Sequence, residues 1–319
     1  MLSRVAECLY WMSRYLERAE HTARLIDVDL QLGLDQSPVA GSERSRRLFE
    51  ALQVPQRLIG RLDSVSITHT LTLNRANPSS IFCCVAAARD NLGHVRDQCS
   101  SKMWESLNCL YLQTHDVPQT ESSVLQSHEF FQSVRDGGYL FQGITDSTMT
   151  HGEGWHYIQL GRFIERMESI AALVGAYFEG LSQTPDQTVD GAEYLEWVGL
   201  LKSCDAFEAY CKAYSAELRP QRVAEFLLLT PEFPHSLRFS AEMIHTALRL
   251  AAKLTKRNAE LPVRLSGRLR ATLSLTPIAE IMAKGVQDYL NTVRKQCGQA
   301  HAAVNQIYFN YPVESLVAA

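Results

Sequence analysis

Residues 14–26 read RYLERAEHTARLI, and residues 162–174 read RFIERMESIAALV. Six positions are identical at a constant offset of 148 residues: Arg14, Glu17, Arg18, Glu20, Ala23 and Leu25 recur as Arg162, Glu165, Arg166, Glu168, Ala171 and Leu173. Self-similarity at this distance is typical of a chain built from two related units. The repeated Glu-Arg motif therefore predicts an internally duplicated protein with two equivalent helices.

A second pair of similar segments supports the duplication. LTLNRANPSSI ends at Ile81, and LLLTPEFPHSL ends at Leu237. The offset between these two segments is 156 residues, only eight more than the offset of 148 residues between the two Glu-Arg segments. We expect a first helical repeat over residues 1–150 and a second over residues 151–319, packed as one globular unit.

The composition is that of an ordinary globular protein and argues against several functional classes. The 319 residues are 46% hydrophobic and 21% charged, with a net charge of −4. This charge, with basic residues scattered along the chain, argues against nucleic acid and anionic lipid as partners. No apolar run approaches the roughly 18 residues that a membrane span needs. The eight cysteines lack C-x-x-C spacing, which favours buried thiols in a reducing cytoplasm over a zinc or redox site.

Long stretches without proline or glycine indicate an all-α protein, and bundle packing is the usual solution for helices of this length. We expect helices over about residues 3–33, 44–55, 78–113, 154–180, 190–215, 220–230, 236–258 and 276–308. The alternating segment SVSITHTLTL (64–73) resembles a strand, but its counterpart VAEFLLL (223–229) does not alternate. Both segments are therefore interpreted as helix.

The two Glu-Arg helices carry apolar residues on two opposite sides. In each helix these residues recur at alternating spacings of four and three, which produces one apolar stripe on each side. A helix that is apolar on two sides is packed on two sides, so both helices are expected to be central and mutually close. Arg18 and Arg166 lie within these stripes, and a buried arginine keeps its charge. We therefore expect each to pair with a carboxylate.

The charged residues of the two helices form the first candidate site. They are expected to face one another across a pseudo-two-fold axis and to line a polar cleft. The candidate cleft consists of Arg14, Glu17, Arg18, Glu20, Arg162, Glu165, Arg166 and Glu168. The alternative is an ion-pair network that only fixes the register of the two helices, a role that is well attested for buried ionic groups.

A second candidate site lies on the helix that follows Pro78. Polar side chains recur there at alternating spacings of four and three and end at a tryptophan, which suits an interface or the edge of a ligand site. The candidate groove consists of Ser79, Ser80, Arg89, Asp90, Asp97, Trp104 and Asn108. An ordinary solvated helix face is the alternative interpretation.

Sequence motifs for nucleotides and metals are scarce. The chain contains no G-x-x-x-x-G-K-S/T, G-x-G-x-x-G or G-x-S-x-G motif. Glu242 and His245 have the Glu-x-x-His spacing of di-iron bundles, but such a site needs two of these motifs and two further carboxylates. We expect no metal and no cofactor.

Several segments in order resemble the alpha-E family, an all-helical bacterial family named for its Glu-Arg motif. They are the opening MLSRVAECLYWMSRYLERAEHTARLIDV, NPSSIFCCVAAARDNLGHVRD (77–97), the Met103-Trp104-Glu105 group with Asn108, and GITDSTMTHGEGW (143–155). The chain departs from the family pattern at His235 and His151, where the family tends to have arginine, and at Met167, where it tends to have alanine.

The resemblance implies a role beside circularly permuted ATP-grasp ligases and transglutaminase-like proteins. On this basis we expect a cytoplasmic, non-nucleotide-binding partner of a ligase that forms peptide or amide bonds. Two alternatives stay open. The chain is either an enzyme in its own right, acting on a peptide-like substrate through the Glu-Arg cleft, or a purely structural interaction module.

Overall fold

The computed structural model describes residues 1–33, 38–59, 63–116, 128–181, 189, 191–255 and 259–309. In these residues the chain forms α-helices and no strand. The fourteen α-helices are α1 (Ser3–Gly33), α2 (Pro38–Ala51), α3 (Ser64–Thr72), α4 (Ile81–Gly93), α5 (Ser101–His115), α6 (His128–Thr148), α7 (Glu153–Gly180), α8 (Gly191–Ser203), α9 (Phe207–Tyr214), α10 (Pro220–Leu229), α11 (Leu237–Leu254), α12 (Glu260–Leu275), α13 (Ile278–Lys284) and α14 (Val286–Val304). The prediction of an all-α fold is confirmed, including helix at 64–73 and 223–229.

The two Glu-Arg helices, α1 and α7, are the centre of the fold and pack along each other. Helices α4, α6 and α8 pack against α1, while α2, α11 and α14 pack against α7. Both central helices are therefore covered on several sides, as their two apolar stripes predict. Most of their residues are buried, including the charged side chains of Arg14, Glu17, Glu165 and Arg166.

Helices α1 and α7 approach each other closely at Gly161. A Cβ atom added at Gly161 would lie 2.3 Å from the carbonyl oxygen of Tyr10 and 2.4 Å from Oγ of Ser13. The hydroxyl of Ser13 in turn donates a hydrogen bond of 2.7 Å to the carbonyl oxygen of Ile158. The small residues on both helices thus set the short distance across which the charged residues meet.

Serine caps start the helices that flank the central pair. Ser80 accepts a hydrogen bond from the backbone N–H of Cys83 at the start of α4, and Ser236 accepts one from Phe239 at the start of α11. Each serine oxygen thereby pairs with a backbone N–H of the first helical turn that has no partner within the helix. Both serines belong to the second pair of similar segments, and both start a helix that packs on a Glu-Arg helix.

The single helix expected over 78–113 is wrong. Helix α4 ends at Gly93, a 3₁₀ turn spans Arg96–Gln98, and α5 starts at Ser101. The side chain of Ser100 caps α5 by accepting from the N–H of Met103. This local capping bond competes with a continuous helix, and the chain turns between the two segments.

The second half also differs from the expected helices. The segment 190–215 forms α8 and α9, and the segment 276–308 forms α13, α14 and a π-helical turn over Asn305–Phe309. The expected helices leave a gap between residues 258 and 276, but α12 fills most of it. Pro262 lies in the first turn of α12, where the backbone N–H has no partner within the helix and proline is tolerated.

The proposed boundary at residue 150 lies in the connection between α6 and α7. The division into two repeats and the internal duplication stay predictions. Among the described residues, none of the helices combines the length and the apolar character needed to cross a membrane.

Candidate functional site

The ion pairs between α1 and α7 are reciprocal. Arg18 donates from Nε and Nη2 to the two carboxylate oxygens of Glu165, at 2.6 and 3.1 Å. Arg166 donates in the same way to Glu17, at 2.5 and 2.9 Å. Each arginine therefore binds the glutamate of the other helix with two parallel hydrogen bonds, the strongest geometry for this pair. The prediction that Arg18 and Arg166 pair with carboxylates is confirmed.

The outer arginines are not equivalent. Arg14 donates to Glu165 at 2.6 Å and to Glu168 at 2.5 Å. Arg162, its counterpart, has only an oxygen of Glu17 at 3.6 Å, and its buried Nε has no hydrogen-bond acceptor among the described residues. Burial and the nearby Arg166 lower the pKa of Arg162 to about 10. Arg14 therefore has two carboxylate partners, whereas Arg162 has no carboxylate within hydrogen-bond distance among the described residues.

The equivalent carboxylates Glu20 and Glu168 also differ. Glu20 is fully buried, accepts from Arg24 at 3.1 Å and from Gln142 at 3.2 Å, and has a pKa that burial and the neighbouring Glu17 raise. Arg24 also donates a hydrogen bond of 3.0 Å to the carboxylate of Asp205. Glu168 is partly exposed, with 32% of its side chain accessible. Only Glu168 is available to a molecule from solution.

Glu165 is the best-compensated carboxylate of the cluster. Burial opposes its ionisation, but Arg14 and Arg18 outweigh burial and hold its pKa below the usual range. Glu165 is therefore an ionised structural anchor that positions both arginines.

A pocket of about 210 Å³ opens beside Arg18, Glu165 and Glu168. Helices α1 and α7 form one wall, the end of α2 with the residues after it forms another, and the turn before α4 closes it. The polar residues that line it are Arg18, His21, Thr22, Gln53, Asn77, Ser79, Glu165, Glu168 and Ser169, and the apolar ones are Ala51, Leu52, Val54, Leu71 and Ala172. The structure thus unites three of the eight cleft residues with Ser79 of the candidate groove.

The pocket contains polar atoms without a full set of partners. Nε2 of His21 is buried and has no hydrogen-bond partner among the described residues. Burial, aided by Arg24, lowers the pKa of His21 to about 3, so the ring is neutral. Nη1 of Arg18 has only Oγ of Ser79, at 3.5 Å. Nη1 of Arg18 therefore retains hydrogen-bonding capacity at the pocket.

A buried group of possible metal ligands lies on the other side of the cluster. Glu17, Glu20 and His235 are all buried there, and one potential ligand atom of each lies within 4.8 Å of the others. The sequence did not indicate this cluster, because His235 is more than 200 residues away from the two glutamates. Arg166 and Arg24 already occupy carboxylate oxygens of Glu17 and Glu20. These cations oppose a metal ion at the same place, and the expectation of no metal stays a prediction.

The candidate groove is not one continuous helix face. Ser80 is a buried helix cap, and the break between Gly93 and Ser101 divides the predicted stripe between α4 and α5. Arg89 donates to Asn108 at 2.7 Å and stacks on Trp104, with Arg96 on the same indole. The predicted polar stripe required a continuous helix. Because the helix is broken, Arg89, Arg96, Trp104 and Asn108 instead form a cluster across α4, the 3₁₀ turn and α5. Only Ser79 joins the pocket.

The sequence analysis missed five polar residues of the pocket, which are His21, Thr22, Gln53, Asn77 and Ser169. His21 follows Arg18 by three positions and so shares its helix face, a signal that could have identified it. Asn77 is buried and fixes the turn before α4 by donating to the carbonyl oxygen of Thr70 and accepting from the N–H of Ser79. Gln53 gave no signal, since it follows the end of α2 and reaches the pocket only through the tertiary fold.

The lone Glu-x-x-His sequence has a structural explanation. Glu242 pairs with Arg270 at 2.9 Å, and Nδ1 of His245 lies 3.0 Å from the hydroxyl of Ser266. Both side chains therefore tie α11 to α12, and no second motif faces them among the described residues.

The fold and the site define an all-α protein organised around crossed Glu-Arg pairs of two central helices. A family model described as a predicted alpha-helical domain with a conserved ER motif, Alpha-E, matches residues 1–309. The chain therefore belongs to the Alpha-E family, as the resemblance of its segments predicts.

The chain is also similar to proteins of Mycobacterium bovis and of two strains of Mycobacterium tuberculosis, each described as uncharacterized. The identity is 24% over 268 residues, which covers 77% of this chain and 29% of each relative. The chain thus spans less than a third of the length of these relatives. No solved structure matches it.

Proposed function

We propose that this chain is the ligand-binding, non-nucleotide-binding partner of an ATP-grasp-type ligase that forms peptide or amide bonds in the cytoplasm. The observation that carries the proposal is the polar pocket beside Arg18, Glu165 and Glu168. The ligase, and a transglutaminase-like protein as a further partner, are taken from the family resemblance. The much greater length of the mycobacterial relatives is compatible with a module that works beside other domains.

The size and charge of the pocket support a ligand other than a nucleotide. Sites for drug-sized ligands measure roughly 300–1,000 Å³, whereas this pocket measures about 210 Å³. Arg14 and Arg18 are balanced by Glu165 and Glu168, so the site has no excess positive charge for a triphosphate. The ATP would therefore bind to the ligase, and this chain would hold or present a second substrate.

The alternative that the chain is itself an enzyme is favoured by one observation. Glu168 reaches the pocket and is partly exposed, and burial raises its pKa although Arg14 opposes this. A carboxyl with a raised pKa is suited to general acid-base catalysis. Such an enzyme would act on a peptide-like substrate without ATP.

The test compares the ligase alone, the ligase with this chain, and this chain alone. We expect the chain to raise the rate or narrow the specificity of the ligase, and to show no ATP binding by calorimetry. Glu168→Gln keeps the shape of the side chain and should abolish the stimulation, whereas Glu179→Gln at the exposed end of the same helix should leave it intact. Turnover by the chain alone would support the enzyme alternative. If the chain changes neither the rate nor the specificity of the ligase, the alternative of a purely structural module is the one that remains.

A further inference from the structure

We propose that the pocket binds a small zwitterion, namely an α-amino acid or a dipeptide with free ends. Its carboxylate would lie at Arg18 and Ser79, and its ammonium group at Glu168. This inference rests on the proposed function in taking the same pocket, and it names the class of substrate that the pocket holds.

The positive end of the pocket is formed by Arg18. Two of its nitrogens are used by Glu165, and Nη1 has only the distant hydroxyl of Ser79 at 3.5 Å. This distance is longer than that of a good hydrogen bond, so both groups can turn to a ligand carboxylate. Helix α4 begins at Ile81, two residues after Ser79, and its N-terminus adds positive partial charge at this end.

The negative end is formed by Glu168. One of its oxygens accepts from Arg14, and its other oxygen has no donor among the described residues. The side chain is 32% exposed and lines the pocket. A ligand ammonium group would supply the missing donor and compensate the charge that burial destabilises.

His21 also lines the pocket. Its side chain is 3% exposed, and the buried Nε2 has no partner among the described residues. A neutral imidazole can donate or accept at this atom, depending on its tautomer. The neutral imidazole therefore gives the pocket a polar wall without adding a further charge.

The charge balance selects a zwitterion over an ion of one sign. The two arginines and two glutamates around the pocket cancel, and their free atoms lie on different residues. An anion without a positive group would pair with Arg18 but be repelled by Glu168. A cation without a negative group would pair with Glu168 but be repelled by Arg18. Only a ligand with both charges meets both ends.

Gln53 supports a built site rather than an accidental gap. It lies at φ 53°, a left-handed conformation for which glycine is the preferred residue at the end of a helix. The backbone hydrogen bond from Val54 to Phe49 fixes this turn after α2. A glutamine at such a position places a polar side chain at the pocket in spite of the backbone strain.

The experiment screens the twenty proteinogenic L-amino acids and their homodipeptides against the full chain by thermal shift, followed by calorimetry. The best binder is then compared with its N-acetylated and C-amidated forms. We expect each modification to weaken binding by at least about tenfold, because each removes a charge-assisted hydrogen bond.

Three variants define the site. Glu168→Gln should lower the affinity for the free ligand by about tenfold or more. It should not further lower the affinity for the N-acetylated form, which has no ammonium group. Glu179→Gln, on the same helix and outside the pocket, should change neither. Gln53→Gly relieves the left-handed backbone, so it should keep the melting temperature and still weaken binding. This variant separates the binding role of the side chain from a structural one.

Some results would overturn the inference. They are no binding tighter than about 10 mM by any compound of the panel, or equal affinity for the free and blocked forms. Zwitterion binding without any effect on the ligase would leave this inference standing and remove the proposed function. Stimulation of the ligase by a chain that binds no zwitterion would do the opposite.

Discussion

Glu17 on α1 and Arg166 on α7 form a bidentate pair in which each side chain is only 2% exposed. The pair repeats, with the helices exchanged, between Glu165 and Arg18. Because each helix supplies both a cation and an anion, a shift of α1 along α7 would break both pairs at once. The crossed pairs therefore fix the register of the two central helices.

Removing the charge of Glu17 should destabilise the fold strongly. Glu17→Gln leaves Arg166 buried without a carboxylate and takes from Arg162 its nearest anion. Loss of one partner of a buried pair costs about 3–5 kcal/mol, and we expect a loss of this size in urea unfolding. Glu168→Gln should cost less than about 1 kcal/mol, since Glu168 is partly exposed. Equal losses for the two variants would contradict the distinct burial of the two sites.

The arginines at positions 162 and 166 should respond differently to the same substitution. Arg162 has no acceptor within hydrogen-bond distance among the described residues, and burial lowers its pKa to about 10. Arg162→Met should therefore change the free energy of unfolding by less than about 1 kcal/mol, since an apolar residue of similar length avoids the burial of the charge. Arg166→Met should cost about 3 kcal/mol or more, because buried Glu17 loses both of its hydrogen bonds from Arg166 and keeps only the more distant Arg162. The contrast is measured by chemical denaturation of both variants under one condition.

A methyl group at Gly161 should force the central helices apart. The added Cβ would meet backbone at 2.3 Å, which no side-chain rotation can relieve. We expect Gly161→Ala to cost about 3 kcal/mol and to weaken ligand binding as well, because the pocket lies between α1 and α7. Gly143→Ala is the matched control within helix α6, where nothing lies within 4 Å of the new atom. It should stabilise the protein by about 0.5–1 kcal/mol.

The stability of the protein should fall as the pH falls below about 6.5, in part because of His21. Burial and Arg24 lower the pKa of His21 to about 3 in the fold, whereas an unfolded histidine titrates near 6.5. Between these values the unfolded chain binds the additional proton, so acid favours unfolding. From pH 7 to pH 5 this residue contributes a loss of about 2 kcal/mol.

The variant His21→Phe isolates this contribution. Its loss of unfolding free energy between pH 7 and pH 5 should be smaller than that of the wild type by about 2 kcal/mol. His94→Gln, which removes a histidine at an exposed position after α4, is the matched control. The same slope in the wild type and in His21→Phe would mean that the fold does not lower the pKa of His21.

Local patterns in the sequence determined the central part of the fold. The alternating spacings of apolar residues mark α1 and α7 as helices that are packed on two sides, and helical periodicity is a property of neighbouring residues. The charge of arginine is permanent, so a carboxylate opposite Arg18 and Arg166 follows from their position among apolar residues. The all-α class, the two central helices and their ion pairs could therefore be predicted.

Tertiary structure alone decided which side of the charge cluster is open. The pocket depends on Gln53 after α2 and on Ser79 before α4, which the chain brings to Arg18 and Glu168 from distant positions. On the opposite side His235, Glu17 and Glu20 are all buried, and one potential ligand atom of each lies within 4.8 Å of the others. The motif is nearly the same in both copies, so it cannot distinguish them. The difference arises from what packs around each copy, because burial and access depend on residues far apart in the chain.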